Sequence, residues 1–390
     1  MQQICEIDGP IHCIMKGDRV VSNVAQRGIG MSVFSHHEFH NHEQVSFFND
    51  EKTGLKAIIS VHNTNLGPAL GGCRMWNYES DEQALRDVLR LSRGMTYKAA
   101  ITGLPLGGGK SVIIGDPKKI KTADLMKAMG RAVETFGGRY IVAEDVNTTV
   151  EDMNNMHTQT KSVVGVSHNG EGSGDPSPTT AYGVYVGLKA AVRYRLHRSD
   201  LRGLKVAVQG LGNVGYNLCK LLHKDGAQLF VTDVAPERVQ QAVKELGAKA
   251  VGLNDIYSQD VDVFAPCALG AILNDGTIKQ LKAKVVAGAA NNQLAEARHG
   301  EILRDLKVLY APDYLINAGG LISVYFEYAC RQEGKVYSRE HVLAHVNKID
   351  ETAESIFRRA EQDGTSTSAA ADRIAEQRFK AQVKSSNKAA

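Results

Sequence analysis

Two lysines in one Gly-rich stretch are the first residues of the chain that could do acid–base chemistry. Residues 95–110 read MTYKAAITGLPLGGGK, so Lys98 and Lys110 lie twelve positions apart. The three glycines predict a tight turn before Lys110 enters the apolar segment SVIIG. Desolvation in a cleft would lower the pKa of an ammonium group toward the range that is useful for proton transfer. A solvated lysine at a strand edge is the alternative, and the spacing leaves both open.

A phosphate-binding loop is excluded at this place. GGGKS resembles the end of the motif GxxxxGK[ST], whose first glycine would fall at position 104. That position is Leu104, so the motif is absent.

A carboxylate follows the strand that is predicted at residues 140–143. This strand ends in AEDVNTT, which places Asp145 at its carboxyl end. Near Lys110, the carboxylate would hold the ammonium group charged or share its proton. A helix N-cap or a surface ion pair is the alternative.

The composition is that of an ordinary globular protein. Of 390 residues, 46 are basic and 43 acidic, and no basic block is interleaved with aromatic residues. The net charge of +3 therefore disfavours nucleic acid as a partner.

The length predicts about two domains. No apolar run reaches the roughly 18 residues that span a bilayer, so we expect no membrane segment.

Cysteine and histidine give no metal signal in the sequence. The six cysteines are scattered without CxxC pairs, which predicts a cytoplasmic location. His36, His37, His40 and His42 are close in sequence, with His36 and His40 at helical spacing. Two histidines at helical spacing do not by themselves make a metal site, so we predict a solvated helix face and no metal site.

The first half of the chain is predicted to form a mixed or parallel sheet with helices. Apolar or alternating runs predict strands at residues 44–48, 55–62, 111–115 and 140–143. The Gly-rich segment NTNLGPALGGCRMW is predicted as a loop. Capping patterns predict helices at residues 80–95 and 122–136. A segment rich in Gly, Ser, Asp and Pro predicts a hinge between domains at residues 163–180, followed by a helix at 181–194.

The second half opens on a dinucleotide-binding pattern. LKVAVQGLGNVGYNLCKLLHKDGAQLFVTDV contains an apolar strand, then Gly210, Gly212 and Gly215 in GxGxxG spacing, then a helix and a second strand that ends in Asp233. Such glycines make the turn, admit the pyrophosphate to the helix N-terminus and let helix pack on strand. Asp233 would accept hydrogen bonds from the ribose hydroxyls and repel a 2′-phosphate, which predicts NAD as the cofactor.

Further strands are predicted at residues 261–264, 285–287 and 307–311, and the chain from 342 to 390 is mostly helical in pattern. The loops APCALG, GAANNQ and PDYLINAGG follow these strands and are expected to meet nicotinamide and substrate. The predicted cofactor-binding residues are Gly210, Gly212, Asn213, Val214, Gly215, Asp233, Ala265, Pro266, Cys267, Ala289 and Asn291.

Seven segments together resemble one enzyme family. They are LGPALGGCRMW, RGMTYKAAITGLPLGGGKSVIIGDP, AEDVNTT, GDPSPTTAYGVY, VQGLGNVG, FAPCALGA and APDYLINAGG, in this order between Met31 and about Lys380. The pattern is similar to that of the glutamate, leucine, phenylalanine and valine dehydrogenases, and most similar to that of the leucine enzymes. The resemblance implies an α/β fold with an N-terminal mixed-sheet substrate domain, a Rossmann-type NAD-binding domain and a cleft between them.

The resemblance also implies a domain plan. Residues 31–178 would form the substrate and oligomerisation domain, and residues 179–351 the NAD-binding domain. A helical segment at 352–390 would pack back toward the first domain. Residues 1–30 lack periodicity and are predicted to be a loosely ordered extension. A homo-oligomer, commonly an octamer, is implied as well.

The resemblance further implies roles for particular residues. Lys98 would hold the substrate α-carboxylate, Lys110 would be the catalytic lysine, and Asp145 would handle the proton of the amino group. Asn292 would orient the substrate. The substrate-contacting backbone and side-chain pocket would consist of Leu70, Gly71, Gly72, Met95, Val164, Leu321 and Val324. The implied reaction is the reversible, NAD-dependent deamination of an L-amino acid to the 2-oxo acid and ammonia.

The implied pocket is aliphatic and uncharged, so a glutamate side chain would find no partner in it. Leucine, valine or isoleucine is therefore the expected substrate. Val164 and Leu321 depart from the threonine and valine that are usual in the leucine enzymes. An aromatic substrate, phenylalanine or tryptophan, is the alternative.

Two other functions are alternatives to this reaction. A catalytically idle NAD-binding scaffold would have lost Lys98, Lys110 or Asp145, and all three are present. A 2-hydroxy-acid dehydrogenase needs a histidine that is paired with a carboxylate in the cleft. The candidate, His168, lies in a polar segment without a fixed partner.

Overall fold

The computed structural model describes residues 32–166 and 173–386 of the chain. The chain divides into a short unit, Met1–His36, and a long unit, His37–Ala390. The described part of the short unit contains one 3-10 turn, Val33–Ser35. The long unit contains two β-sheets. The predicted extension at residues 1–30 and the candidate His168 lie outside the described residues.

The first sheet has the strand order β1-β2-β4-β3-β5. Its strands are β1 (Gln44–Asp50), β2 (Leu55–Asn63), β3 (Ala69–Trp76), β4 (Gly107–Ile114) and β5 (Tyr140–Glu144). β2 pairs antiparallel with β1 and β4, whereas β3 lies parallel to β4 and β5, so the prediction of a mixed sheet is confirmed. The helices of this half are α1 (Asp81–Ile101), α2 (Pro117–Ile120), α3 (Ala123–Glu134) and α4 (Val150–His157).

Local capping signals start the two long helices where the sequence predicts them. The hydroxyl of Ser80 accepts a hydrogen bond from the Gln83 amide at 3.2 Å, which caps α1. The hydroxyl of Thr122 accepts one from the Leu125 amide at 3.2 Å, which caps α3. Helix α1 continues beyond its predicted end and carries Lys98 in its last turn.

Two Gly-rich segments that were predicted as a loop and a turn are strands. The segment ALGGCRMW forms β3, and the three glycines before Lys110 begin β4. A Cβ atom at Gly71 would lie 1.7 Å from the Gly109 carbonyl oxygen, and one at Gly108 would lie 2.0 Å from the Thr96 nitrogen. These predictions were wrong because the glycines permit close packing of strand on strand and of helix on strand.

The second sheet has the strand order β11-β10-β9-β6-β7-β8, and its strand pairs are parallel. Its strands are β6 (Lys205–Gln209), β7 (Gln228–Thr232), β8 (Lys249–Ala250), β9 (Val263–Pro266), β10 (Val285–Val286) and β11 (Leu309–Tyr310). Counted from β6, this is the order 3-2-1-4-5-6 of dinucleotide-binding sheets. The prediction of a Rossmann-type half is confirmed.

The first helix of the second half begins at Ser177, earlier than the predicted residue 181 and within the expected hinge. The helices of this half are α5 (Ser177–Leu196), α6 (Asn213–Lys224), α7 (Pro236–Leu246), α8 (Arg298–Asp305), α9 (Asp313–Ile316), α10 (Gly319–Glu333), α11 (Arg339–Val346), α12 (Ile349–Asp363) and α13 (Thr367–Ser386). Helix α6 follows β6 directly, as the Gly-rich motif requires.

The last helix packs against α1 of the first half. The Tyr97 hydroxyl donates to Glu376 at 2.6 Å, and the Tyr97 and Phe379 rings lie 5.5 Å apart. Arg378 donates to the Ala100 carbonyl at 2.9 Å. Helix α12 contacts both α5 and α13. The C-terminal helices therefore connect the two halves of the long unit.

The histidine-rich segment is not a helix face. Residues 36–42 are not helical, and His42 is buried with Nε2 3.0 Å from the Leu89 carbonyl oxygen. Its ring lies 4.8 Å from that of His62. Burial lowers the pKa of His42 to about 4 and that of His62 to about 3, so both are neutral at pH 7. The prediction of a solvated helix face was therefore wrong.

Within residues 32–166 and 173–386, the structure shows neither a metal-binding cluster nor a membrane-spanning helix. No group of three or more His, Cys, Asp or Glu side chains in these ranges is arranged to hold a metal ion. No helix in the same ranges combines the length and the apolarity that crossing a membrane requires.

Candidate active site

A cavity of about 520 Å³ is lined by residues from both halves of the long unit. The first half contributes residues of α1, β3 and β4 and the end of β5, and the second half contributes α6, α10 and the loops after β10 and β11. Lys98, Lys110 and Asp145 all line this cavity. The three ionisable residues singled out in the sequence therefore share one site.

The Lys110 ammonium group is hydrogen bonded to Asp145. Lys110 lies in β4, where it is only 6% exposed, and it donates to Oδ2 of Asp145 just beyond β5. Strand β3 runs between β4 and β5, and a Cβ atom at Gly72 of β3 would lie 2.6 Å from the Asp145 Cβ. Gly72 thus leaves the space through which the carboxylate reaches Lys110.

The loop after β5 holds Asp145 in place. Its amide donates to the Thr148 hydroxyl at 2.9 Å, and that hydroxyl donates to the Cys73 carbonyl at 2.9 Å. Asn147, with φ of 61°, donates from its side chain to the Met75 carbonyl at 3.0 Å. The polar residues of AEDVNTT therefore fasten the carboxylate to β3, which leaves it little freedom of position.

Lys98 lies half-buried in the last turn of α1. Its ammonium group donates to Oδ1 of Asn317 at 2.7 Å. Burial lowers the pKa of Lys98 to about 8, and the nearby carboxylate of Asp313 opposes this shift. A lysine that lines a cavity and bonds to a neutral amide has its charge available to a bound carboxylate.

The side chains predicted to form the apolar pocket lie together. Leu70, Met95, Leu321 and Val324 line the cavity. Val164 is completely buried in the apolar cluster that also contains Leu70 and Leu321. The two glycines differ in position, since Gly72 lines the cavity while Gly71 lies against β4.

The Gly-rich turn after β6 leaves the end of α6 open. Gly210 has φ of 95°, and a Cβ atom at Gly215 would lie 2.0 Å from the Gly210 carbonyl oxygen. Gly212 caps α6 without a side chain, and nothing lies within 4 Å of the place where its Cβ would be. Asn213 and Val214 form the first turn of α6, and Val214 lines the cavity. The uncovered amides of this helix end suit a pyrophosphate.

The acidic residue after β7 sits against this turn. Asp233 accepts hydrogen bonds from the Leu211 amide at 2.6 Å and the Ala235 amide at 2.8 Å. Two apolar side chains flank the turn and are exposed, Val234 at 83% and Leu269 at 74%. Exposed apolar groups beside an open helix end fit a nucleoside base, so the residues present fit a dinucleotide.

The other residues predicted to bind the cofactor lie at the ends of β9 and β10. Ala289 and Asn291 line the cavity, as does Asn292, which has φ of 52°. Ala265 and Pro266 are buried at the end of β9. The Cys267 amide that follows donates to the Gln209 carbonyl at 2.7 Å. These two loops meet at the cavity side of the second sheet.

Comparison with protein families decides the assignment. The dimerisation-domain model of the Glu/Leu/Phe/Val dehydrogenases matches residues 42–162. The glutamate/leucine/phenylalanine/valine dehydrogenase model matches residues 172–235 and 231–386. The chain belongs to this family. It is an amino-acid dehydrogenase, as the sequence motifs predicted.

Individual relatives agree with the family assignment. Leucine dehydrogenase of Bacillus subtilis (strain 168) is 54% identical over 349 residues, which cover 90% of this chain and 94% of that protein. L-tryptophan dehydrogenase of Nostoc punctiforme is 50% identical over 349 residues, covering 89% and 96%. A crystal structure of L-tryptophan dehydrogenase from Nostoc punctiforme has a TM-score of 0.76 at 47% identity, covering 88% of this chain and 97% of that one. The predicted family and fold class are confirmed.

Arg74 is a residue of the dehydrogenase site that was not predicted from the sequence. Its Nη1 lies 2.9 Å from Asp87, and its Nε lies 3.5 Å from the Asp145 oxygen that accepts from Lys110. Burial alone would raise the pKa of Asp145, but Lys110 and Arg74 outweigh it and hold that pKa below its ordinary value. The signal was its position two residues after Gly72, on the same face of β3.

We expect Arg74→Met to raise the pKa of Asp145, because one of its two cationic neighbours is removed. The acid limb of the kcat/KM pH profile should move up by about one pH unit. Arg74→Lys keeps a cation and should shift the limb less. Initial rates with L-leucine between pH 5 and 10 test this for all three enzymes. An unmoved limb in Arg74→Met would contradict the electrostatic role.

Asn317 joins the two halves of the dehydrogenase and was also not predicted. Its side-chain amide donates to the Ala289 carbonyl at 3.1 Å and to Oδ1 of Asn291 at 2.7 Å. Because its oxygen accepts from Lys98, one buried amide links α1 to the loop after β10. The residue lies in the recognised segment APDYLINAGG, but nothing in its spacing marks it as a bridge.

Asp313 is the third residue that the structure adds to the site. The carboxylate is buried and accepts hydrogen bonds from the Gln293 amide at 3.1 Å and the Tyr314 amide at 2.8 Å. Burial raises the pKa of Asp313, and these amides together with Lys98 only partly offset the effect. Each site lysine therefore has a carboxylate in its electrostatic environment, Asp145 at Lys110 and Asp313 near Lys98.

Proposed function

We propose that this dehydrogenase deaminates an apolar L-amino acid with NAD, preferring leucine, valine or isoleucine, and that the reaction is reversible. The observation that carries the proposal is the placement of Lys98 and the Lys110–Asp145 pair on one cavity whose wall includes aliphatic side chains. This arrangement supplies a cation for a carboxylate, a proton-transfer pair and an apolar surface for a side chain.

Binding orients the substrate by its three substituents. The α-carboxylate pairs with the ammonium group of Lys98, which Asn317 holds at 2.7 Å. The α-amino group then lies toward Lys110 and Asp145, and the side chain lies against Leu70, Met95, Leu321 and Val324. Because these four side chains carry no charge, they favour an apolar substrate.

Proton transfer falls to Lys110 and Asp145. Asp145 takes a proton from the substrate ammonium group, so loss of hydride from the α-carbon leaves an iminium. Water attacks the iminium carbon while Lys110, in its neutral form, takes a proton from that water. The carbinolamine collapses when Asp145 returns its proton to nitrogen and then accepts the hydroxyl proton, which releases the 2-oxo acid and ammonia. The hydrogen bond between the two side chains lets the proton pass from one to the other. Their burial limits competition from bulk water.

NAD is the cofactor that the second half favours. When bound, the nicotinamide supplies the acceptor for the hydride. Gly212 and the open end of α6 would hold the pyrophosphate, and Asp233 would accept hydrogen bonds from the adenosine ribose. A 2′-phosphate beside the Asp233 carboxylate would meet a like charge, so the proposal disfavours NADP.

We expect Asp233→Ser to weaken the preference for NAD over NADP by about tenfold or more, since a charged repulsion worth over 1.4 kcal/mol is removed. Arg238, 3.9 Å from Asp233, would then be free to pair with the 2′-phosphate. The ratio of kcat/KM values for the two cofactors measures the change. Asp255→Ser, in the 3-10 turn Asp255–Ser258 after β8, serves as the control and should leave the ratio as it is.

Parallel assays with L-leucine, L-valine, L-phenylalanine, L-tryptophan and L-glutamate test the substrate assignment, with reduction of NAD as the signal. The proposal expects the highest kcat/KM with a branched-chain substrate and no measurable rate with glutamate. A preference for phenylalanine or tryptophan would favour the aromatic alternative. No turnover of any of the five would favour the idle scaffold.

A homo-oligomer, with an octamer as the expected size, is part of the proposal. Strand β1 forms an edge of the first sheet, and Phe47 on it is 60% exposed. An edge strand with an exposed aromatic side chain is a natural site for pairing with a second copy. Light scattering of the purified chain measures the mass of the assembly.

The free thiols of Cys73, Cys219, Cys267 and Cys330 support a cytoplasmic location.

A further inference from the structure

A buried carboxylate in α10 binds two separate parts of the segment between the halves. Glu327 is 2% exposed and lies one turn after Val324 of the apolar pocket. Its Oε1 accepts a hydrogen bond from the Gly165 amide at 3.0 Å. Its Oε2 accepts from the Ser173 amide at 2.9 Å and from the Ser173 hydroxyl at 2.7 Å. One side chain thus holds residues on both sides of the segment 166–172.

An arginine one turn further along completes the contact. Arg331 donates to Oε1 of Glu327 at 2.6 Å and, through Nη1, to the Val163 carbonyl at 2.7 Å. The carboxylate therefore accepts four described hydrogen bonds, and its charge is balanced by the guanidinium group. Hydrogen bonds to an ionised acceptor are about twice as strong as neutral ones. A buried carboxylate with this many partners positions the groups that bond to it.

The groups that bond to Glu327 belong to the wall of the cavity. Gly165 lines the cavity, and Val164 beside it packs in the apolar cluster with Leu321. The Val164 amide donates to the Val142 carbonyl of β5 at 2.9 Å, which ties this wall to the first sheet as well. Residues 163–165 are thus fixed between β5 on one side and α10 on the other. Their distance from α10 sets the depth available to a substrate side chain.

We propose that Glu327 is a positioning residue that, with Arg331, sets the side-chain specificity of the enzyme by fixing residues 163–165 against α10. The inference rests on the proposed deamination of apolar amino acids, and it adds the element that holds the pocket at one size. Helix α10 carries Leu321 and Val324 on one wall of the pocket. Through Glu327, the same helix also holds residues 163–165, which form the other wall. Weaker hydrogen bonds to Glu327 would let residues 163–165 move away from α10 and enlarge the pocket. Lys98, Lys110 and the Gly-rich turn would keep their positions.

Glu327→Gln tests the proposal because it keeps the shape of the side chain and removes its charge. The KM for L-leucine should rise about tenfold, and the ratio of kcat/KM for L-leucine over L-phenylalanine should fall about tenfold, the range that one methylene governs in an apolar pocket. The kcat at saturation and the KM for NAD should stay within about threefold. Ser173→Ala removes one donor and should produce a smaller change in the same direction.

Glu333→Gln is the matched control. It makes the same substitution in the same helix, but Glu333 is exposed and pairs with Lys335 at 2.6 Å. It should behave as the parent in every measurement. If Glu327→Gln does not fold, the ratio in Ser173→Ala decides the matter, since that variant keeps the buried charge.

An unchanged leucine-to-phenylalanine ratio in the folded variants overturns the positioning role. So does an equal loss of kcat with all substrates, which would show that Glu327 contributes only to stability. A parent enzyme that turns over no apolar amino acid counts against the proposed function and removes the ground for this inference too. An active parent with parent-like variants counts against the inference alone.

Discussion

Replacing Lys110 with alanine should lower kcat for L-leucine oxidation by about 10²- to 10⁴-fold, the contribution that a positioned acid–base group typically makes. Lys110 is 6% exposed and bonded to Asp145 in the cavity, so water cannot readily take over its role. Binding of NAD should be unaffected, because the Gly-rich turn and Asp233 lie on the other sheet. Stopped-flow turnover and fluorescence titration with NADH measure the two properties separately.

Lys119→Ala is the control for this substitution. Lys119 lies in α2 with 78% of its side chain exposed and pairs only loosely with Asp116, at 3.6 Å. The control should keep the parent kcat. Turnover by Lys110→Ala within about tenfold of the parent would remove Lys110 from the mechanism. Circular dichroism of both variants separates loss of chemistry from loss of fold, since the alanine leaves Asp145 with Arg74 as its remaining cationic partner.

Much of the fold could be predicted because the relevant signals are local. The apolar strand, GxGxxG turn and helix after Lys205 are contiguous in sequence, and the structure builds β6, the turn and α6 from them. Ser80 and Thr122 were recognised as caps for the same reason. Lys110 and Asp145 could be predicted as site residues from their local sequence. Lys110 directly follows three glycines, and Asp145 follows the carboxyl end of a predicted strand.

The predictions that were wrong or missing concern residues whose roles depend on contacts between distant parts of the chain. Gly71 and Gly108 have the sequence appearance of turn residues, but their role is close packing against β4 and α1. Asn317 and Glu327 carried no signal, because Lys98 for the first and Gly165 and Ser173 for the second lie far along the chain. Asn317, for example, bonds to Lys98, which lies 219 positions earlier. Such residues are identified only in the folded protein, which brings their partners together. The Asn317 amide and the Glu327 carboxylate are both buried there.

Replacing Lys98 with alanine should reduce kcat/KM for L-leucine by about 10²-fold or more, mainly through KM, because removing one partner of a buried charge pair typically costs 2–5 kcal/mol. NAD binding should again be retained. Lys127→Ala serves as the control, since Lys127 lies on α3 and pairs with Asp124 at 3.1 Å. A KM for L-leucine that stays within threefold of the parent would exclude Lys98 as the carboxylate anchor.

The pH dependence of the parent enzyme tests the same role without a mutation. Because the pKa of Lys98 is about 8, its ammonium form is present below that pH and is lost as the pH rises. Affinity for the 2-oxo acid of leucine, which has no group that titrates in this range, should therefore be constant below about pH 7 and fall up to tenfold per unit above pH 8. Quenching of bound NADH fluorescence by the 2-oxo acid measures this affinity in the absence of ammonia. Lys98→Arg keeps its charge throughout and should remove the decline, whereas a decline that persists in this variant would assign the titration to another group.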